Sequence, residues 1–236
     1  MQAYELVMND IPVITVDGPS GTGKGTLCSH LANWLNWHFL DSGALYRVLA
    51  LAAINRQIAL DDIPQLAQLG SQLELQFSVQ TAGQLSQVIL EGKDVSDDIR
   101  TEDCGKSASI VAAIPEVRLA LLGRQQAFQI RPGLIADGRD MGTVVFPDAD
   151  LKLYLTASAE ERAKRRHKQL LEKGISANLR DLSADIAERD ARDSQRSVSP
   201  LKPAEDAIII DTSHSSIDEV VGDIREMVVD TFPDIS

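Results

Sequence analysis

The stretch Pro12–Leu27, "PVITVDGPSGTGKGTL", decides the fold. An apolar, β-branched run ends at Asp17, a glycine-studded loop follows, and a segment of helical period begins at Lys24. Gly18 to Lys24 fits the phosphate-binding pattern GxxxxGK, with a strand before it and a helix after it. Glycines let backbone N–H groups converge on an oxyanion without a Cβ in the way, and the following helix points its positive end at the same spot. Gly18, Pro19, Ser20, Gly21, Thr22, Gly23, Lys24, Gly25 and Thr26 are therefore expected to cradle a donor polyphosphate, with Lys24 as a point charge on its outer phosphates. In most such loops a Ser or Thr directly after the lysine ligates Mg²⁺. Here Gly25 stands there, and the hydroxyl comes one place later, at Thr26.

Outward from this loop, short apolar runs alternate with helical stretches. "HFL", "GLIAD", "LKLYL" and "AIIID" read as further strands, and Lys24 to Leu35 and Gly43 to Asn55 as helices. The alternation predicts a parallel sheet with crossover helices, an α/β sandwich. "VITV" and "AIII" are continuously apolar, as strands covered on both faces should be. Two segments break the rhythm. Between about Gln72 and Ile99, apolar and polar residues alternate around turns at Ala82–Gly83 and Gly92–Lys93, which predicts a small antiparallel insert. From Glu160 to Ser199 a charged stretch of helical period, broken by "EKGISANL", reads as a helix, loop and helix.

Bulk properties bound the partners. A chain of 236 residues, 44 % hydrophobic and 25 % charged, suits one large soluble domain with inserted lobes. Its net charge of −12 argues against a broad nucleic-acid or anionic-membrane surface, so any anion must be caught locally. The start "MQAYELVMND" has no signal-peptide character, and no run of about 18 apolar residues occurs, which points to the cytoplasm. Cys28 and Cys104 stand far apart without metal-ligand spacing and read as free thiols. His30, His38, His167 and His214 fall outside the motifs and are expected in structural or surface roles.

Two further stretches carry chemistry. "LDSGALYR" follows the second strand, so Asp41 and Ser42 are placed to cap the next helix while Tyr46 and Arg47 face the cleft at the strand's carboxyl end. "LIADGRDMG" places Asp137, Arg139 and Asp140 at the same edge. Asp137, closing an apolar strand, is a candidate to hold a metal-bound water, and Thr26 is a second metal candidate.

Together with "DGPSGTGKGT" and "RDARDSQRSVSPL", these motifs resemble bacterial cytidylate kinases, in the expected order from Asp17 to Leu201. The resemblance implies a P-loop kinase three-layer sandwich with a central parallel sheet, residues 1–236 forming one kinase domain. Residues 70–105 would be an inserted nucleoside-monophosphate-binding lobe and 160–199 a helical lid. It implies ATP with Mg²⁺ as donor and CMP or dCMP as acceptor, in a monomer that binds neither nucleic acid nor membrane. By position, Arg47, Arg139 and Arg196 would hold the acceptor's phosphate, Asp193 and Arg189 its ribose, and Ser42, Ser109, Arg118 and Asp140 its base, with Tyr46 beside them. Lys24, Arg139, Arg166 and Arg189 would be the catalytic cations. Arg165 and Arg192 are the alternatives to Arg166 and Arg189 on the lid. Ser109 and Arg118 lie in plain helical stretches, "KSASIVAAI" and "PEVRLALLGR", which alone fit a structural role equally well.

Two other readings compete at this stage. A GTP-driven switch lacks its NKxD guanine-reading motif here. A kinase for a hydroxyl-bearing acceptor would need a general base, for which Asp41 or Asp137 would serve.

Overall fold

The computed structural model describes residues 11–78, 87–172 and 174–233. Its centre is a five-stranded parallel sheet in the order β2-β6-β1-β7-β8. The strands are β1 (Val13–Asp17), β2 (His38–Asp41), β6 (Leu134–Gly138), β7 (Leu151–Thr156) and β8 (Ile208–Asp211). All five residues of β1 and of β6 are buried, as parallel strands at the centre of a sheet require.

Both faces of the sheet are covered, which makes the expected three layers. On one face α1 (Lys24–Leu35) and α8 (Ile217–Thr231) pack Leu27, Leu31 and Ile224 onto Ile14, Val16 and Leu153. On the other, Leu45 of α2 (Ser42–Asn55) meets Val13, Leu40 and Leu134. A second apolar cluster extends that face through α3 (Ile63–Gln72), α4 (Glu102–Val111) and α5 (Pro115–Gln126). Each fully buried Leu or Ile contributes about 1.5–3 kcal/mol, so these clusters fix the layer order.

A three-stranded antiparallel sheet, β3 (Leu75–Ser78), β4 (Gln87–Leu90) and β5 (Lys93–Asp94), forms the insert. Its second turn is made by Glu91 and Gly92, both at positive φ, as a two-residue hairpin loop demands. The turn expected at Ala82–Gly83 lies outside the described residues. The charged stretch forms α6 (Ala159–Glu172) and α7 (Leu179–Ser194), with the break at Gly174, where φ is 73°.

Three expectations are corrected. β8 is an edge strand on which Ile208 and Ile209, pointing to opposite faces, are 40 % and 61 % exposed, so its apolar run is not covered on both sides; of its isoleucines only Ile210 packs against the cluster that includes α8. β6 is followed by a single π-helical turn, Met141–Val145, rather than a crossover helix, because the chain goes directly to β7 on the far side of β1. Ser42 does not share in capping α2: Asp41 alone accepts from the Ala44 N–H, at 2.9 Å. Among the described residues no helix is long and apolar enough to cross a membrane, and both cysteines are free and buried.

Candidate active site

The parallel register aligns Asp41 with Asp137 and Asp17 with Gly138, so the carboxyl ends of β2, β6 and β1 open side by side. Three connections leave that edge: the phosphate loop, the start of α2, and the "GRDMG" turn. Above them lies a cavity of about 870 Å³, closed on its other sides by α4 and by α6 and α7.

The loop's shape follows from its glycines. Gly18 has φ 142°, and a Cβ there would come within 2.1 Å of the Leu155 carbonyl oxygen, so only glycine fits. Gly23 caps α1 in the left-handed region and supplies no side chain to the helix's first N–H groups. The capped helices α2, α3, α4, α7 and α8 spend a side-chain oxygen there; α1 leaves its donors and its positive end to a ligand. Ser20, Gly21, Gly23, Lys24, Gly25 and Thr26 line the cavity. Gly18, Pro19 and Thr22 do not. Instead, the Lys24 ammonium donates to the Pro19 carbonyl at 2.7 Å and to Thr22 Oγ1 at 3.4 Å. Burial and the nearby Arg139 charge push the Lys24 ammonium below its usual pKa. Burial likewise raises Asp137, although Lys24 opposes the shift.

Cations gather from four directions. Arg47 donates from Nη1 to the Ile99 and Thr101 carbonyls, at 2.7 and 3.3 Å, and borders the cavity. Arg139 donates from Nε to Asp193 at 3.0 Å, and Arg196 pairs with the same carboxylate. Burial would raise Asp193, but Arg139, Arg196 and Arg189 outweigh it and hold the carboxyl below its ordinary value. Burial, and then Arg139 beside it, lowers Arg189 to about 10. The Nε atoms of Arg118, Arg189 and Arg196 are buried without a hydrogen-bond partner among the described residues. Several like charges held together in low dielectric form a receptor for a polyanion.

A second cavity, of about 50 Å³, opens beside the first. Ser42, Tyr46, Ser109, Arg118, Arg139, Asp140, Arg189, Asp193 and Arg196 line it, which is every expected acceptor residue except Arg47. Gly43, Ser109, Arg139 and Arg189 border both cavities. Arg118 and Asp140, on α5 and at the β6 edge, form a buried ion pair, and Arg118 also lies 5.5 Å above the Tyr46 ring.

The arginines of α6 and α7 reach the large cavity from the opposite side. Arg166 pairs with Glu102, Arg165 donates to Thr212, and Arg192 donates to Ser109 Oγ at 2.9 Å and pairs with Glu188. Arg162 donates to the Ser20 carbonyl at 3.1 Å and grips Asp190 in two hydrogen bonds of 3.0 and 2.5 Å, tying α6 to the phosphate loop and to α7.

For a divalent cation, the oxygens at hand beside the loop are Thr26, Asp41 and Asp137. Among the described residues no cluster of three His, Cys, Asp or Glu could hold a metal by itself. A hydroxyl and two carboxylates fit Mg²⁺, a hard cation that keeps waters and takes the rest of its shell from phosphate oxygens. Gly25 adds no side chain there, and a Cβ would make only an ordinary contact, 3.6 Å from Asp137 Oδ2, so sterics alone do not demand the glycine.

A model of the family described as cytidylate kinase matches residues 14–230. The chain belongs to the cytidylate kinase family. A cytidylate kinase of Nitrosococcus oceani is 60 % identical over 211 residues, covering 89 % of this chain and 93 % of that one. One from Aeromonas hydrophila subsp. hydrophila is 56 % identical over 225 residues, covering 95 % and 97 %. One from Shewanella frigidimarina is 56 % identical over 217 residues, covering 92 % and 95 %.

Three residues around these cavities were not singled out by the sequence motifs. His30 on α1 lines the large cavity rather than standing apart from it. Asp17 is buried and accepts from the Met141 and Gly142 N–H groups at 2.9 and 2.8 Å, fastening the "GRDMG" turn to β1. Gln125, 1 % exposed, accepts from Ser42 Oγ at 2.7 Å. The only sequence signal for Gln125 is its position two turns after Arg118, on the same face of α5.

Proposed function

We propose that the chain transfers the γ-phosphoryl group of ATP to CMP or dCMP, giving ADP with CDP or dCDP. The observation that carries this reading is the pair of adjoining cavities: one built on the phosphate loop, the other lined by the acceptor residues, with Arg139 and Arg189 bordering both. Two polyanions repel, and fixed cations at the seam offset that repulsion where charge builds in the transition state.

In this reading the phosphate loop and Lys24 hold the donor's β- and γ-phosphates. Arg47, Arg139 and Arg196 hold the acceptor phosphate; Asp193 and Arg189 meet the ribose. Ser42, Ser109, Arg118 and Asp140 read the base beside Tyr46. An oxygen of the acceptor phosphate forms the new bond to the γ-phosphorus, the bond to the β,γ-bridging oxygen breaks, and that oxygen leaves with the electron pair on ADP. The acceptor oxygen is already anionic at neutral pH, so no protein base is needed. Arg166 and Arg189 complete the cation ring, and residues 160–199 act as a lid that excludes water. Thr26 and Asp137 would hold Mg²⁺, Asp137 through water, and the ion would supply charge neutralisation on the donor phosphates. Residues 70–105 serve as the acceptor lobe of a single kinase domain spanning 1–236.

We place the enzyme in the cytoplasm as a monomer acting on small nucleotides, with neither nucleic acid nor membrane as partner. One chain supplies every residue named, and a net charge of −12 opposes polyanionic surfaces. The test is ADP release from ATP·Mg²⁺ with CMP, dCMP, UMP, AMP or a hydroxyl-bearing acceptor. CMP and dCMP are expected to turn over fastest; release with the hydroxyl acceptor alone would overturn the reading.

A further inference from the structure

We propose that Gln125 fixes the hydrogen-bond polarity of Ser42, and through it sets the preference for a pyrimidine carrying an amino group over one carrying a carbonyl. Gln125 is a positioning residue: it lines neither cavity and acts through Ser42, which lines the small one. The inference rests on the reading of that cavity as the acceptor-base site.

A serine hydroxyl has one proton and two lone pairs, and in solution it rotates to suit whatever approaches. Here the rotation is stopped. Ser42, 3 % exposed, donates to Gln125 Oε1 at 2.7 Å, in a bond buried from solvent. With its proton spent on Gln125, Ser42 offers the cavity only lone pairs. Asp140, 2 % exposed and held by Arg118, likewise offers only acceptors. Cytosine presents an N4 amino donor; uracil presents a carbonyl acceptor in its place. A wall of fixed acceptors matches the first and leaves buried lone pairs facing each other in the second.

The cost of keeping Gln125 supports a specific role. Its neighbours on the same stripe of α5 are the buried Val117 and Leu121, and an apolar side chain of similar volume would complete that core without burying an amide. The Tyr46 hydroxyl lies near Gln125 but makes no hydrogen bond of good geometry. The bond from Ser42 is therefore the contact that uses the amide at the cavity wall.

The test compares kcat/KM for CMP and UMP, and KM for ATP, in wild-type protein, Gln125→Met, Ser42→Ala and the double variant. Gln125→Met keeps the volume and removes the acceptor, so the CMP/UMP ratio is expected to fall about tenfold, mainly through a gain with UMP, while KM for ATP stays unchanged. In the Ser42→Ala background the same change is expected to add nothing. Should Gln125→Met fail to fold by thermal melting, Gln125→Asn, one methylene too short to reach Ser42, carries the same expectation. An unchanged ratio in the folded variant, or an undiminished effect of Gln125→Met without Ser42, overturns the proposal. If Ser42→Ala itself leaves the ratio intact, the base-site reading has failed instead.

Discussion

Arg118 and Asp140 form an ion pair inside the protein, with side chains only 7 % and 3 % exposed. Arg118 also donates to the Ala112 carbonyl at 3.0 Å, so each charge has a partner that water cannot replace. Removing one member of such a pair strands the other in low dielectric. Asp140→Ala is expected to cost about 3–5 kcal/mol in urea unfolding, and the Arg118→Met/Asp140→Leu double variant clearly less than the sum of its single changes. The same Asp140→Ala protein should also lose part of its preference for CMP over UMP. An unchanged ratio of kcat/KM values would remove Asp140 from base reading.

Lys24 carries the opposite balance. The residue is 5 % exposed, and burial together with Arg139 disfavours its charge in the absence of a polyphosphate. Lys24→Ala is therefore expected to abolish turnover while melting no lower than wild type, since it removes a buried cation along with two hydrogen bonds to the loop. Near-normal ADP release from this variant would refute the assignment of the loop to the donor.

What was legible in the sequence, and what was not, follows the range of the interactions. The phosphate loop, its strand and α1 were readable because local physics dictates them: β-branched residues, then glycines at positive φ, then a helical period. Helix α7 and the turn that follows it bring Arg189, Asp193 and Arg196 to the small cavity, but only the family resemblance pointed to that, since a charged helix looks the same when merely solvated. Gln125 meets Ser42 across 83 residues, and no local pattern encodes such a contact. β8 misled because continuous apolarity marks strand formation, while its exposure depends on whether another element covers it.

Asp17 provides a pH signature of the folded state. Burial raises its carboxyl from 3.8 to about 6, against the pull of the Gly142 and Met141 N–H groups. Between those values the folded chain keeps a proton that the unfolded chain has released. Stability from this group is thus complete below about pH 4 and is lost as pH rises through about 6, a difference on the order of 3 kcal/mol. Asp137, also raised by burial, acts in the same sense. Urea midpoints at pH 4, 5, 6 and 7 are expected to show wild type losing ground relative to Asp17→Asn as pH climbs; parallel curves would remove Asp17 as the source.

Across the large cavity, Glu102 and Lys106 on α4 pair with Arg166 on α6 and Asp185 on α7. The four side chains are 31–57 % exposed, so each pair is worth little alone and is screened by salt. If Arg166 serves the transferring phosphate as proposed, the pair competes with substrate, because Arg166 cannot face an incoming phosphate while it holds Glu102. Glu102→Gln keeps the shape and removes the competing charge. At low ionic strength it is expected to raise kcat/KM for ATP about two- to threefold, and the gain should vanish near 0.5 M salt, where the Debye length is only a few ångströms. Stopped-flow ATP binding across a salt series reads this directly. A gain that persists at high salt would mean that Glu102 acts through packing, and a loss at low salt would mean that the pair holds Arg166 in its working position.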